Sequence, residues 1–354
     1  MSCLLGQSQK LFLIAGQSNA VGVGNADSSV LCRPGTAFEY ISTGDSLRPL
    51  KDPVGYNAAN EDFQAAVSGS AWPSFASSYH QLTGDTVIII QAAKGATACH
   101  PLADAGAGNW SSSYHLFAQA IAKTKKAEAH TGLKLSGIIW LQGESDAGAI
   151  HSHKISACQY KESLIDLIGR FRDSLGHDVP FYIIPIGLYT PDFDSAYYTV
   201  RRIQQIAADE MPMTYIVDGS TDSYRALGYM NADRIHLGQR ALNRTGSITA
   251  RNIYASRFLG KYIPAVPASA PDWNILSDTF SDTLSIRISG CDCADVSLSI
   301  KKAAGRRVYK ITKSIFRKDQ MLIQAPTGSF AKGAYRVFLS LNKKKYGVRK
   351  VVRN

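Results

Sequence analysis

Ser18, Asp233 and His236 are the residues of this chain whose types and order could carry a reaction. A serine hydroxyl is a weak nucleophile until a base within hydrogen-bond reach takes its proton. That base, most often an imidazole, needs a carboxylate to fix its tautomer and orientation. Asp233 and His236 stand three apart in DRIH, so one turn of backbone can bring the carboxylate to one ring nitrogen and leave the other for a serine. Ser18 lies in GQSN, directly after the apolar run 10–15. Singly, a D-x-x-H and a polar turn carry little weight. Their value depends on whether the fold brings them together.

The elements that must do so are legible as period and composition. Apolar runs at 10–15, 86–91, 135–141, 180–186 and 214–217 read as strands buried on both faces, and they alternate with helices at 74–82, 114–131, 160–175, 197–210 and 238–259. That alternation implies a three-layer α/β/α domain around a doubly wound parallel sheet. Open sheets of this kind bind ligands beyond the carboxyl ends of their strands. Loops 16–19, 92–98 and 142–148 follow three such ends, and 233–236 follows the fifth strand. Residues 20–70, rich in Gly, Ser, Asn and Asp without a sustained period, are expected to be a long loop wrapping the site.

Beyond the last helix the pattern changes. Residues 262–272, YIPAVPASAPD, form a Pro/Ala linker, and from 284 the alternation has period two, as in LSIRI, VSLSI and YRVFL. With turn signals at Ser289-Gly290, Ala304-Gly305 and Thr327-Gly328, this reads as a small antiparallel β-sandwich. The expected division is a catalytic domain over 1–261, the linker over 262–272 and a basic accessory domain over 273–354. The formal charge of +11 sits in the tail: residues 261–354 hold 18 Lys/Arg against 6 Asp/Glu, leaving residues 1–260 at −1. Such a field suits a polyanionic partner, a packing role or a solvated face. Few aromatics interleave its Lys/Arg runs and it carries no nucleic-acid motif, so an acidic glycan is favoured over nucleic acid.

No apolar stretch nears the roughly 20 residues that span a bilayer. The N-terminus does not read as a secretory signal, because its apolar run is the expected first strand and leads into Ser18. Location is left open between cytoplasm, phage particle and a chain whose signal was removed. Six cysteines without C-x-x-C or zinc-like spacing read as mostly reduced thiols.

Other residues near these loops have rival readings. Glu144 and Asp146, in WLQGESD, would suit acid/base work of the glycosidase type or simply hold structure. His151 and His153 invite a metal, but two histidines two apart in a loop are more simply solvent-exposed, and no metal site is expected. Lys94, beside Gly95, is the better candidate to meet a substrate carboxylate. Arg201 and Arg202 sit within an expected helix, where a solvated face is the simpler reading.

Taken together, GQSNA after the first strand, the loop around Gly95, WLQGESD after the third strand and DRIH before the last helix resemble the SGNH hydrolases. Within them the resemblance is to the sialate O-acetylesterase and acetylxylan esterase branch, whose first and third blocks read GQSN and QGE. It covers residues 8–260 and not the tail. The resemblance implies a flavodoxin-like fold with Ser18 as nucleophile, His236 as general base and Asp233 as its orienting carboxylate. It implies an oxyanion hole made by the backbone N–H groups of Ser18 and Gly95 with the side-chain amide of Gln142. Glu144 would be structural or assist His236, Asn19 and Lys94 are the candidate substrate contacts, and no metal or organic cofactor is implied. Two departures stand out: Gly95-Ala96 replaces the usual pair of glycines, and Ala20 replaces a common methionine. The G-x-S-x-G elbow of α/β-hydrolases is not met.

The resulting expectation is a serine esterase that removes O-acetyl groups from a carbohydrate, sialic acid or another acetylated glycan, through an acyl-enzyme. Its rival is a carbohydrate-binding or phage structural protein that keeps the fold without the activity. The intact set Ser18, Gly95, Gln142, Asp233 and His236 argues against that rival.

Overall fold

A computed structural model of the chain describes residues 8–56, 62–257, 272–276, 279–341 and 344–354. The chain divides into two compact units, one within 1–155 and 159–264 and the other within 156–158 and 265–354.

The first unit is organised on β1 (Gln9–Gly16), whose residues 11–15 are each at most 1% exposed. A strand apolar on both faces is satisfied only in the middle of a sheet covered twice. β1 pairs in parallel with β4 (Thr86–Ala93) on one side and β5 (Leu135–Leu141) on the other. Beyond β5 lie β6 (Phe181–Ile183) and β7 (Thr214–Ile216). Beyond β4 lie β2 (Ala37–Ile41) and the antiparallel edge strand β3 (Ser46–Pro49), giving the order β3-β2-β4-β1-β5-β6-β7. From β4 the chain crosses back over β1 to reach β5. The carboxyl ends of β1, β4 and β5 therefore meet at a topological switch point, where such sheets form a crevice.

Helices cover both faces. On one, α2 (Trp72–Thr83) and α7 (Gln239–Ser256) bury Trp72, Phe75, Tyr79, Leu242 and Ile253 against Phe12, Ile14, Val87 and Ile89. On the other, α3 (His115–Thr131) and α5 (Ala157–Leu175) bring Phe117 edge-on to Phe171 at 5.0 Å, with Phe171 6.1 Å from Phe181 of β6. Phe171 and Phe181, fully buried, each contribute about 1.5–3 kcal/mol. α6 (Asp194–Glu210) packs by α4 (Glu144–His151), near the β5 end of the crevice.

The five expected strands and five expected helices are present, with ends shifted by three residues or fewer. In the helices and strands of this unit three expectations need correcting. Residues 20–70 are not all loop, since they contain β2 and β3. Glu39 interrupts the apolar pattern of β2, yet it is buried because its Oε1 accepts the N–H groups of Gly55 and Tyr56 and Arg48 pairs with Oε2. Residues 144–151 are a helix rather than part of a loop, and His151 in its last turn stacks on Phe193 at 4.1 Å. Arg201 does not lie on a solvated face. It donates to Ile186 O, Thr221 Oγ1 and Gly219 O and pairs with Asp222 at 3.1 Å, tying the loop after β6 to the turn after β7.

The second unit comprises β8 (Asp272–Ile275), β9 (Thr279–Phe280), β10 (Thr283–Lys302), β11 (Arg307–Pro326), β12 (Gly333–Leu341) and β13 (Lys344–Arg353). β10 and β11 pair antiparallel along their 20-residue lengths, while β8 pairs the first half of β10 and β12 the second. Ile286 and Ile288 from the first half share one core with Val296, Leu298 and Ile300 from the second. Both halves of the long hairpin thus contribute to the one core of this unit. Ser289-Gly290 is accordingly not a turn, because β10 runs through it. The Pro/Ala linker lies, apart from Asp272, outside the described residues. Of the cysteines whose side chains are described, Cys32 and Cys99 are free, as expected of a mostly reduced set, and Cys158 is the exception, being disulfide-bonded.

Candidate active site

Ser18 is positioned by a turn that requires glycine. β1 ends at Gly16 with φ +138°, where an added Cβ would lie 2.1 Å from Leu141 O. The chain can therefore press against β5. Gln17 N–H donates to Leu141 O at 3.0 Å, and α1 (Ser18–Val21) begins. The Gln17 side chain completes this clamp. Its Oε1 accepts from the N–H groups of Gly143, Glu144 and Ser145 at 3.2, 3.1 and 3.4 Å, satisfying the amino end of α4, which has no capping side chain of its own.

His236 reaches Ser18 from the segment between β7 and α7. Arg234 takes a left-handed φ of 58°, which curls the chain so that Asp233 Oδ1 accepts the N–H groups of Ile235 at 2.8 Å and His236 at 2.9 Å. Asp233 Oδ2 lies 2.7 Å from His236 Nδ1, and His236 Nε2 lies 2.9 Å from Ser18 Oγ. Partial burial by itself would raise the Asp233 pKa. The backbone and ring hydrogen bonds from His236, with that of Ile235, outweigh it and hold the carboxyl below the usual carboxylate range. With Nδ1–H donated to that carboxylate, Nε2 is left to accept the serine proton.

Asn19 and Glu144 stand behind this chain of groups rather than in the crevice. Asn19 is 2% exposed. Its Nδ2 donates to Glu144 Oε1 at 2.8 Å, Tyr189 Oη at 3.1 Å and Ile235 O at 3.4 Å, and its Oδ1 accepts Leu237 N–H at 2.9 Å. The expected substrate contact is thus occupied on both ends. It fastens the nucleophile turn to the two residues flanking His236. Glu144 Oε1 also accepts from Tyr189 Oη at 2.5 Å, and its Oε2 is buried without a partner among the described residues. Burial raises its pKa against the hydrogen bonds from Tyr189 and Asn19 and the nearby charge of His236.

The three expected oxyanion donors are in three different states. Ser18 N–H has no acceptor among the described residues. Gly95 lies beside the nucleophile, with its ideal Cβ position 3.6 Å from Ser18 Cβ, but its N–H donates to Gln64 Oε1 at 2.8 Å. Gln142 is displaced from the expected role. Both its amide hydrogens are committed, to Thr97 O at 3.2 Å and Asp146 Oδ2 at 2.5 Å, and its Oε1 is buried without a partner among the described residues. Asp146 in turn accepts the N–H groups of Cys99 and His100 at 2.8 and 2.9 Å. Gln142 and Asp146 therefore hold the loop after β4, the loop that carries Gly95. Lys94 does not offer a free charge to a substrate, because Asp62 Oδ1 lies 2.6 Å from its Nζ and Asp62 also meets His115.

Gln17, Gln64, Asp62 and Tyr189 are the supporting residues that the sequence left unassigned. Only Gln17 had a signal, its place inside GQSN. Among the described residues no group of three or more His, Cys, Asp or Glu side chains could hold a metal ion, and no helix is long and apolar enough to cross a membrane.

Comparison with known proteins adds to this geometry. The family model described as carbohydrate esterase, sialic acid-specific acetylesterase, matches residues 8–255. Among solved structures, a protein from Arabidopsis thaliana has 18% identity and a TM-score of 0.55, with 70% of this chain and 98% of that one covered, and shows the same fold. A carbohydrate acetylesterase from Xanthomonas citri also has 18% identity, with a TM-score of 0.46 and coverage of 96% and 78%. No curated protein matches. With more than half of its length matched by that model, the chain belongs to the sialic acid-specific acetylesterase family of carbohydrate esterases.

Proposed function

We propose that this protein is a serine esterase that removes O-acetyl groups from a carbohydrate, sialic acid or another acetylated glycan, through an acyl-enzyme. One observation carries the reading: the unbroken hydrogen-bond chain from Ser18 Oγ through His236 to Asp233, set at the switch point of the sheet. Ser18 Oγ attacks the acetyl carbonyl while His236 Nε2 takes its proton. The negative charge that develops on the carbonyl oxygen is met by the N–H groups of Ser18 and Gly95, the latter after Gln64 Oε1 withdraws. His236 returns the proton to the leaving sugar oxygen, which departs as the hydroxyl, then activates water to release acetate. Donors fixed in advance where charge develops are each worth about 3–4 kcal/mol to such a transition state.

The test is hydrolysis of p-nitrophenyl acetate by wild type and Ser18→Ala, followed by acetate release from O-acetylated sialic acid and from acetylated xylan. Loss of about 10⁴-fold or more in kcat with Ser18→Ala is expected, and the ratio between the two sugars chooses the substrate class. Equal rates in wild type and variant would remove Ser18 as nucleophile. Inactivity of both on every acetyl ester would favour a binding protein on this fold.

A further inference from the structure

The cations of the second unit are not scattered. Residues 296–354 contain 16 Lys/Arg and a single acid, Asp319. The strand register lines up four of them: Arg307 of β11 stands opposite Lys301 of β10, Lys301 opposite Arg336 of β12, and Arg336 opposite Lys350 of β13. Their neighbours along the strands, Ile300, Val337 and Val351, point into the core, so Lys301, Arg336 and Lys350 share the outward face, with exposed Arg307 beside Lys301 across a register shift of β10 against β11. Arg307, Arg336 and Lys350 are exposed and Lys301 is half-buried. At about 4.8 Å per strand the row is roughly 14 Å long. Like charges directly opposite one another on adjacent strands destabilise a sheet. Yet no acid among the described residues pairs with any of the four. Among the described residues, Lys301 Nζ lies over the Phe338 ring at 4.9 Å.

We infer that this outward face of β11, β10, β12 and β13 is a docking surface for a carboxylate-bearing polysaccharide. A flat row of unpaired cations is complementary to a chain of regularly spaced anions, and the repulsion it stores is relieved when those anions bind. Among the described residues the face has no helix or projecting ribbon to enter a nucleic-acid groove. Its aromatic, Phe338, already lies under Lys301 and is not an open platform for base stacking. The choice of a carbohydrate rests on the esterase reading, and it gives that reading a polymeric acidic substrate, which the face would hold at high local concentration.

The experiment uses the full chain and fluorescently labelled polysialic acid, with binding followed by anisotropy. Wild type and Ser18→Ala are expected to bind equally, so the result does not depend on whether Ser18 is the nucleophile. Binding is expected to weaken at least about tenfold between 50 and 300 mM NaCl, as exposed charge contacts are screened. The triple variant Lys301→Ser, Arg336→Ser, Lys350→Ser should weaken binding at 50 mM NaCl by at least about tenfold and leave p-nitrophenyl acetate hydrolysis unchanged. Arg287→Ser, a cation elsewhere on β10, should bind as wild type does. Should the triple variant not fold, Arg336→Gln alone is expected to weaken binding about threefold. Wild-type affinity in the row variants would overturn the inference. So would binding of single-stranded or duplex DNA, or of neutral dextran, as tight as that of polysialic acid.

Discussion

Replacing Asn19 by alanine tests whether the residue beside the nucleophile touches substrate or holds the histidine turn. The side chain makes one hydrogen bond to a carboxylate, Glu144 Oε1 at 2.8 Å, and accepts one from a buried backbone donor, Leu237 N–H at 2.9 Å. Removing a partner from a buried donor costs about 1–3 kcal/mol, and a hydrogen bond to a charged group is worth about 1.5–3 kcal/mol. With some relaxation into the space left behind, a loss of about 3 kcal/mol follows for the first unit. Intrinsic fluorescence in a denaturant titration reads it out, since Trp72, Trp110 and Trp140 are buried in that unit while Trp273 alone reports on the other. Because Asn19 reaches the two residues flanking His236, kcat on p-nitrophenyl acetate should fall about tenfold or more with KM little changed. Asn19→Asp keeps the shape but sets a second carboxylate against Glu144, whose pKa is already raised. Like charges disfavour joint ionisation, so this variant should lose more stability at neutral than at acid pH. An Asn19→Ala protein of wild-type stability and kcat with a raised KM would refute this reasoning and return Asn19 to the substrate.

Three further outcomes follow from the same region. Gln64→Ala frees the Gly95 N–H, and losing a competing hydrogen bond of about 1 kcal/mol should raise kcat/KM on small acetyl esters about fivefold; a fall in rate instead would make Gln64 part of substrate binding. Burial lifts the Asp146 carboxyl to about 6, above the ordinary value of 3.8, against the N–H groups of Cys99, His100 and Gln142. The folded state then holds that proton more tightly than the unfolded chain, so Asp146 contributes stability that is present below about pH 4 and lost as pH rises through about 6, roughly 3 kcal/mol in all. Asp146→Asn should remove this share of the pH dependence of unfolding, and an unchanged slope between those values would contradict it. Ala96 sits at φ 59°, left-handed backbone that costs a non-glycine residue about 1–2 kcal/mol. Ala96→Gly relieves this but adds about 0.4–1 kcal/mol of unfolded-chain entropy, so a net gain of about 0.5–1 kcal/mol is expected, read as a rise in the thermal midpoint, and a fall would refute the strain argument.

The parts of this fold that were legible in the sequence are those whose cause is local. Residues 11–15 of β1 are apolar without interruption because both faces are buried, and α5 shows its period because one face alone is. Asp233 and His236 could be paired in advance because they are held by one turn of backbone. What was missed has its cause far away in the chain. α4 has acids in its first turn but no local capping side chain, because its cap is Gln17 Oε1, 126 residues before Gly143. Glu39 concealed β2 because its partners, Gly55 and Tyr56, lie in the following loop.

The misplaced oxyanion donor is a consequence of the missed helix. Gln142 and Asp146 are four apart, and Asp146 lies in the first turn of α4, so the helix turns that carboxylate back onto the Gln142 amide. Read as a loop, 142–148 leaves the amide free to face the crevice. Once Gln17 fixes the start of the helix, the amide is drawn to Asp146 and to Thr97 O. The GQSN and QGE blocks therefore depend on each other. The first supplies both the nucleophile and the cap, and the cap decides where the second block's side chains point. Changing Gln17 should accordingly disturb the loop carrying Gly95 through Gln142 and Asp146, although Gln17 itself makes no contact with that loop among the described hydrogen bonds.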